Sequence, residues 1–307
     1  MKTNIHIGLS FLQGNMQLAE IEHGKKETTL VALNEQPTSM DFGHASVTLS
    51  PDHPQLETFC DELKDFLKQA KVHSKLISFA LPTDPMLISV LPVDAALSPA
   101  DIKPHLQWEL EQHFPNSPAK DYVIDHHPLP GADPATKSMF VVAVHRGIVG
   151  FLKNAVTKLK LQLHAIDIDQ FSTERSIRFN YPELVKAKPL LIGAKYGRTD
   201  ISLLVNGEAV EYRSFPRKAD QDFKNSIQAF IQYVRDKGIL ETPTKLVVYG
   251  SEFSKDLLGQ VQRETGVGVE ISSSIRKLSL NKKLPEENLK ESYRFAPAIG
   301  LALRTPA

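Results

Sequence analysis

Two strand pairs, one near the start of each half of the chain, constrain its fold more than any other feature. The first is "HIGLSFLQGNMQLAEI" (residues 6–21), two apolar segments around the turn Gln13-Gly14-Asn15. The second pair begins at Leu190 and holds Asn206-Gly207 between alternating segments, the strongest short hairpin signal. A buried strand follows a helix after each pair. We therefore expect a weak internal repeat, with two halves that face a cleft.

Residues 86–169 carry a different pattern between the two halves. "MLISVLPV", a helix capped by Ser98, "DYVIDHHPL", "MFVVAVH", a helix over 146–160 and "LHAIDID" predict the order β-α-β-β-α-β. In the first helix Ile102, Leu106 and Leu110 recur every four residues, so this apolar stripe should face the insert's own sheet. Trp108 lies away from the stripe's centre. It is a core anchor or an interface anchor, and the sequence leaves both open.

Composition and charge exclude several classes of protein. Lys+Arg and Asp+Glu are both 36 in 307 residues, and this balance argues against a nucleic-acid-binding protein. No apolar run approaches the ~18 residues of a membrane span, and no signal-peptide pattern opens the chain. The single Cys60 excludes an internal disulfide, and its place in a predicted helix over 57–71 indicates a packing role. We expect a cytoplasmic protein.

Four stretches in order carry a resemblance to a known family. They are "IGLSFLQGNMQLAEI", "LQWELEQHFP" with "DYVIDHHPL", "FVVAVHRGIVGFLKNAVTKLKLQLHAIDIDQFSTERSI" and "YRFAPAIGLALR". Together they resemble the PilM-type proteins of type IV pilus assembly, which belong to the actin-like ATPase superfamily and are close to FtsA in architecture. The resemblance implies an α/β, actin-like (RNase H-like) two-domain fold with an inserted β-α-β-β-α-β subdomain.

The same resemblance implies the domain boundaries. Residues 1–85 form the N-terminal part of the first actin-like domain, and residues 86–169 form the inserted, partner-binding subdomain. Residues 170–189 return to the first domain, and residues 190–292 form the second actin-like domain. Residues 293–307 form a C-terminal helix that packs back on the first domain. We also expect residues 281–292 to be an exposed loop.

The first nucleotide loop of the family departs from its pattern here. Where the family has an Asp that holds Mg²⁺ through water, this chain has Ser10. Where the family has a Gly that leaves backbone N–H groups accessible to phosphate, this chain has Leu12. Gly14 lies two residues after Leu12 and is expected only to close the turn.

The second and third loops depart in the same way. The family's D-I-G-A motif aligns with Gly193-Ala194-Lys195-Tyr196, so its carboxylate is missing, and we interpret Lys195 as a solvated lysine. The usual Gly-Gly is Gly250-Ser251-Glu252, in which Glu252 would bring a negative charge towards phosphates.

These losses together predict a vestigial nucleotide site. Phosphoryl transfer depends on metal and positioning, and both carboxylates and two glycines are gone. We expect no catalytic residue, no metal and no cofactor, with ATP and Mg²⁺ bound only if the degenerate site still accepts them. We interpret Asp125-His126-His127, and the group of His164, Asp167 and Asp169, as structural or surface features.

The resemblance implies a scaffold for pilus or related secretion assembly. Its implied partners are other pilus assembly proteins and the cytoplasmic N-terminal peptide of a PilN-like, single-span membrane protein, which holds the chain at the inner face of the inner membrane. In the family that peptide lies in a groove between the inserted subdomain and the first domain, and Trp108 and Glu109 are the candidate contact residues. A variant of this idea is the cytoplasmic part of a type II secretion L-type protein. The alternative is a functional actin-like ATPase or a sugar-kinase-like phosphotransferase.

Overall fold

The computed structural model of the protein describes residues 4–42, 49–84, 86–113, 115, 118–129 and 136–304. The chain divides into two compact units. The main unit comprises residues 1–38, 64–81 and 161–307, and the inserted unit comprises residues 39–63 and 82–160.

The described residues form runs of one to three strands separated by helices. The strands are β1 (Asn4–Leu12), β2 (Asn15–His23), β3 (Thr28–Pro37), β4 (Leu76–Leu81), β5 (Met86–Asp94), β6 (Tyr122–Pro128), β7 (Thr136–His145), β8 (Gln162–Ile168), β9 (Leu190–Lys195), β10 (Arg198–Val205), β11 (Glu208–Pro216), β12 (Leu246–Gly250), β13 (Val269–Ile271) and β14 (Ser279–Leu280). The α-helices are α1 (Leu56–Gln69), α2 (Pro99–His113), α3 (Arg146–Lys158), α4 (Asp169–Asn180), α5 (Asp220–Asp236), α6 (Lys255–Thr265), α7 (Glu286–Lys290) and α8 (Ala296–Ala302).

The main unit contains two sheets that share a topology over five strands, and β14 adds a sixth strand to the first. One has the order β14-β3-β2-β1-β4-β8 and the other the order β11-β10-β9-β12-β13. In each, an antiparallel hairpin (β1 with β2, β9 with β10) is followed by two parallel pairings. The internal repeat predicted from the strand pairs at Ile5 and Leu190 is therefore confirmed.

Two tight turns fix the register of these sheets. Gln13 and Gly14 have φ of 51° and 72°, and Asn206 and Gly207 have φ of 54° and 78°. Two successive positive φ values are those of a type I′ turn, whose twist matches that of the strands it joins. Both hairpins predicted from the sequence are present.

Helix α8 lies in direct backbone contact with its neighbours. A Cβ on Gly8 of β1 would lie 2.1 Å from the Ala298 carbonyl oxygen, and one on Gly300 would lie 1.8 Å from the Ser172 carbonyl oxygen of α4. The small residues of "APAIGLA" thus allow α8 to bury its whole surface against β1 and α4. This packing places α4, and the residue that begins it, beside the first sheet.

Most of the segment 281–292 is exposed, as predicted, but the segment is not wholly a loop. It contains helix α7, and the Asn288 side chain donates a hydrogen bond to the Leu33 carbonyl oxygen at 2.8 Å. Ser292 is buried. Charge and proline suggested a loop, but contacts with the first sheet order the segment.

The inserted unit has a three-stranded antiparallel sheet of order β5-β7-β6. Leu106 and Leu110 of α2 pack against buried residues of all three strands, with Ile102 half-buried at the edge, so the predicted orientation of the stripe is confirmed. Strand β8, expected to complete the insert, instead pairs with β4 in the main unit. The insert's own sheet is therefore one strand smaller than its β-α-β-β-α-β order suggested.

Cys60 lies on α1 and is buried. Burial raises the pKa of its thiol, which disfavours the reactive thiolate. A packing role fits both facts.

Candidate functional site

The first hairpin holds its predicted loop residues in or next to strands. Ser10 is buried inside β1, where its hydroxyl donates to Gln17 Oε1 at 3.4 Å. Leu12 ends β1 and pairs with Asn15. A Cβ on Gly14 would meet nothing within 4 Å, so this glycine is needed for its positive φ rather than for a close approach.

Gly193 lies on β9, beneath a hydrogen-bonded pair of side chains. The Tyr249 hydroxyl donates to Gln170 Oε1 at 2.6 Å. A Cβ on Gly193 would lie 2.8 Å from the Tyr249 oxygen and 3.0 Å from the Gln170 oxygen. The missing side chain at this position therefore makes room for the Tyr249–Gln170 contact.

Lys195 is not solvated, and its interpretation as a solvated lysine is wrong. Its side chain is 5% exposed, and its ammonium nitrogen lies 2.7 Å from Asp169 Oδ1 and 2.6 Å from Asp200 Oδ2. Asp169 is the first residue of α4, and Asp200 lies on β10 opposite Gly193. The second loop has no carboxylate of its own. Two carboxylates nevertheless lie beside Lys195, one from α4 and one from β10.

Arg198 and Tyr212 complete this buried cluster. Arg198 Nε donates to Asp200 Oδ2 at 3.0 Å, and its Nη2 lies 3.4 Å from Asp169 Oδ2. The Tyr212 hydroxyl donates to Asp200 Oδ1 at 3.0 Å. Asp200 therefore binds two cations and a hydroxyl, which is how buried carboxylates are stabilised in proteins.

The ionisation of the cluster follows from these contacts. Burial alone would raise the pKa of Asp200, but the charges of Lys195 and Arg198 hold that pKa far below its usual value. Burial alone would lower the pKa of Lys195, yet the two carboxylates raise it well above the usual value. Burial raises the pKa of Asp169 to about 6, against the opposing effect of Lys195. Both shifts favour the charged forms of Lys195 and Asp200.

The third loop directs its backbone donors at the protein itself. Gly250 has φ of 103°, and a Cβ there would lie 2.3 Å from the Ala194 carbonyl oxygen. That oxygen accepts hydrogen bonds from the Ser251 and Glu252 amides at 3.0 Å and 3.1 Å. The Ser251 hydroxyl is buried and has no hydrogen-bond partner among the described residues. The amides that a phosphate loop would present to its ligand are already used.

Glu252 links the third loop to the tip of the first hairpin. Its carboxylate accepts a hydrogen bond from the Gln13 side-chain amide, and its carbonyl oxygen accepts one from the Arg217 guanidinium. Sequence reasoning expected Glu252 to repel phosphates. In the structure it binds the opposite loop.

These contacts decide whether Mg²⁺ and a nucleotide fit the residues present. The two nearby carboxylates are held by Lys195 and Arg198, and two amides of the third loop are bound to Ala194. No group of three or more His, Cys, Asp or Glu side chains suited to a metal ion occurs in the described part of the chain. The residues do not fit a metal-bound triphosphate.

Asp169 is buried, so of the two roles predicted for it the surface role is wrong and the structural role fits its ion pairs. The sequence predicts it on a strand with His164 and Asp167, but it begins α4 directly after β8. Asp167 instead lies 3.6 Å from Arg304, and the His164 ring contacts His6 edge-on at 5.1 Å between centroids. The position of Asp169 at the end of β8 could have marked it as a candidate, because ligand-binding residues gather at the carboxyl ends of parallel strands.

Trp108 of the inserted unit lies on the solvent side of α2. It is 56% exposed, so of the two roles left open the core role is wrong. Two residues along a helix turn the side chain by about 200°, which places Trp108 opposite Leu106. The His105 ring stacks on the indole with centroids 6.2 Å apart.

Glu109 lies between two histidines on the same helix. Its carboxylate oxygens are 3.7 Å from His105 Nε2 and 3.7 Å from His113 Nε2. His105, Trp108, Glu109 and His113 thus form an aromatic and ionisable patch on α2, which we name the Trp108 surface.

No helix among the described residues is both long and apolar enough to cross a membrane. This finding concerns only those residues.

Comparison with known proteins gives matches in structure. No family model matches the chain, and no curated protein matches it. A solved structure described as the PilM-PilN type IV pilus biogenesis complex is 18% identical, covers 97% of this chain and 98% of its own, and has a TM-score of 0.79.

Two further structures are similar in fold. A Bacteroides thetaiotaomicron protein with actin-like ATPase fold and unknown function is 10% identical over 90% of this chain and 95% of its own, with a TM-score of 0.53. The cytoplasmic domain of EpsL, an inner membrane component of the Vibrio cholerae type II secretion system, is 9% identical over 94% of each chain, with a TM-score of 0.51. The expected actin-like fold and its likeness to PilM are confirmed.

Proposed function

We propose that this protein is a cytoplasmic scaffold for a type IV pilus or a related secretion machine. It is held at the inner face of the inner membrane by the cytoplasmic N-terminal peptide of a PilN-like, single-span membrane protein. It contacts other pilus assembly proteins and neither hydrolyses ATP nor binds nucleic acid.

The likeness in fold to a PilM-PilN complex carries this proposal, because it extends over nearly the whole of both chains. At the same time, the inserted unit offers an exposed aromatic residue that the core does not need. An indole on a helix surface supplies apolar area, and its N–H can bond to a peptide carbonyl. The Trp108 surface is therefore our candidate contact for the membrane partner's tail.

The cleft geometry supports a scaffold without ATP hydrolysis. Lys195 and Arg198 neutralise Asp169 and Asp200, so these carboxylates are not free to hold Mg²⁺. Phosphoryl transfer without a metal and without free backbone donors has little to stabilise its transition state.

The alternative is an actin-like ATPase or a sugar-kinase-like phosphotransferase. One observation favours it: two carboxylates, those of Asp169 and Asp200, both lie within 2.7 Å of the Lys195 ammonium nitrogen. An ATPase would have to release them from Lys195 when nucleotide binds.

The test is a titration of the protein with a synthetic peptide of the cytoplasmic N-terminal tail of a PilN-like, single-span membrane protein. Trp108→Ala should weaken tail binding by about 2 kcal/mol or more, roughly thirtyfold in Kd, if Trp108 is an anchor. Because the side chain is 56% exposed, the fold should be retained.

Tyr196→Ala is the matched control, since it removes an aromatic side chain that is 76% exposed and lies in the main unit. It should leave tail binding unchanged. Full affinity in a folded Trp108→Ala variant would exclude Trp108 as an anchor. No binding by the wild-type protein would count against this partner.

A further inference from the structure

A pocket of about 450 Å³ lies in the main unit, next to the third loop. Its volume is within the range of pockets that bind small molecules. Phe253 and Lys255 line it from the segment after β12, and Ser272 lines it from the segment after β13. Strands β12 and β13 are parallel neighbours. The pocket therefore lies at the carboxyl ends of parallel strands, where ligands bind in open α/β sheets.

The lining of the pocket is positively charged. It contains the side chains of Lys255 and Lys290 and no Asp or Glu. Lys255 is also the first residue of α6, so the positive end of that helix dipole lies here. Asp256 follows it on the helix but does not line the pocket. An anion that enters the pocket would thus meet two cations.

Lys290 has one competing partner. Its nitrogen lies 3.8 Å from the Glu286 carboxylate on the same helix, and the two side chains are 76% and 86% exposed. Water and salt weaken an ion pair that is exposed to this degree. Lys290 therefore remains available to an anion in the pocket.

Hydroxyl groups beside the lysines can donate to an acid. Ser272 is 1% exposed, and its hydroxyl has no hydrogen-bond partner among the described residues. A buried hydroxyl without a partner is unfavourable, and an acid bound beside it could accept its hydrogen bond. Tyr293 also lines the pocket. Burial raises the pKa of its hydroxyl, which therefore stays protonated and able to donate.

Apolar side chains form another part of the lining. Phe253, Ile271 and Leu289 contribute to it, and the rings of Phe253 and Tyr293 pack with centroids 5.4 Å apart. A free inorganic ion would leave these side chains facing water, whereas an apolar body would cover them. Cations, hydroxyl donors and apolar side chains together suit an organic acid better than an inorganic ion.

We propose that this pocket, which we name the Lys255 pocket, binds a small organic anion. Its carboxylate or phosphate group is held by Lys255 and Lys290, and its apolar body packs against Phe253 and Leu289. The site is separate from the buried cluster around Lys195 and needs no metal ion. It goes beyond the proposed function, and its test requires no membrane partner, so either claim can fail alone.

The experiment is a calorimetric titration of the full chain with four probes at low salt. Phenyl phosphate and phenylacetate carry an acid on a benzene ring, benzyl alcohol carries the ring without a charge, and inorganic phosphate carries the charge without a ring. Both organic acids should bind saturably, and the one with the lower Kd identifies the preferred acid. Benzyl alcohol should bind at least about tenfold more weakly, because hydrogen bonds to charged groups are the strong ones. Inorganic phosphate should also bind more weakly, since it covers no apolar side chain.

The variant Lys255→Gln/Lys290→Gln removes both charges from the lining. It should weaken the binding of phenyl phosphate roughly tenfold or more. Lys282→Gln/Lys283→Gln is the matched control, since it removes two exposed lysines that do not line the pocket. It should leave the Kd unchanged. All four side chains are exposed, so both variants should keep the wild-type Tm.

Three results would overturn the proposal. The first is the absence of saturable binding for both organic acids. The second is binding of benzyl alcohol or inorganic phosphate as tight as that of phenyl phosphate, because the acid or the apolar body would then not be recognised. The third is an unchanged Kd for phenyl phosphate in the folded Lys255→Gln/Lys290→Gln variant.

Discussion

Replacing Gly250 by alanine should destabilise the main unit more than the same replacement at Gly14. Gly250 ends β12 and has φ of 103°, whereas Gly14 lies in the turn after β1 and has φ of 72°. An L-residue in a left-handed conformation costs about 1–2 kcal/mol, and this is the whole expected effect at Gly14, where an added Cβ has open space around it.

At Gly250 a second effect adds to the first. The new Cβ would lie 2.3 Å from the Ala194 carbonyl oxygen, so one backbone must shift. The same oxygen accepts the Ser251 and Glu252 amides, and each of these bonds contributes about 0.5–1.5 kcal/mol. We expect Gly250→Ala to lower the free energy of unfolding by about 2–5 kcal/mol in total.

Urea unfolding followed by far-UV circular dichroism measures both variants in buffer without nucleotide. A larger loss for Gly250→Ala would mean that the third loop needs its glycine for the protein's own backbone. Equal losses for the two variants would refute this reasoning, because the contact with Ala194 would then contribute nothing.

Three further predictions follow from buried side chains. Burial raises the pKa of Glu174 from 4.5 to about 8, so the folded chain holds this proton more tightly than the unfolded chain, and the free energy of unfolding should fall as pH rises through that window. Glu174→Gln should remove this slope, at most about 1.4 kcal/mol per pH unit, in urea unfolding across the window; an unchanged slope would contradict the assignment. Leu106→Ala should cost about 2–5 kcal/mol because Leu106 is fully buried, whereas Trp108→Ala should change stability by less than about 0.5 kcal/mol in thermal melts; equal losses would mean that Trp108 packs in the core. Cys60 should react with a thiol reagent only as fast as the native chain opens, and rapid labelling of the folded protein would contradict its burial.

Local patterns predicted those parts of the fold that depend on neighbouring residues. The tight turns at Asn206-Gly207 and Gln13-Gly14 are local features, since they depend on positive φ at the turn residues themselves. The stripe of α2 faces the insert's sheet because its spacing is helical. Periodicity also placed Trp108 off the stripe, but it could not tell whether another element covers the opposite face.

The candidate cleft was harder to predict because its contacts are long-range. Lys195 was interpreted from its alignment with one loop, and its carboxylate partners come from the start of α4 and from β10. The two residues between Lys195 and Arg198 make a turn, so Asp200 returns beside Lys195 on the next strand. The burial of Lys195 can be inferred only when the pairing of β9 with β10 is known.

One measurement tests the central claim most directly: calorimetric titration of the wild-type protein with the membrane partner's tail, with and without ATP and Mg²⁺. We expect a single-site isotherm with the same Kd in both conditions, since a nucleotide that does not bind cannot alter the affinity for the tail. Tail binding that depends on Mg-ATP, or a saturable ATP isotherm in the micromolar range, would contradict it.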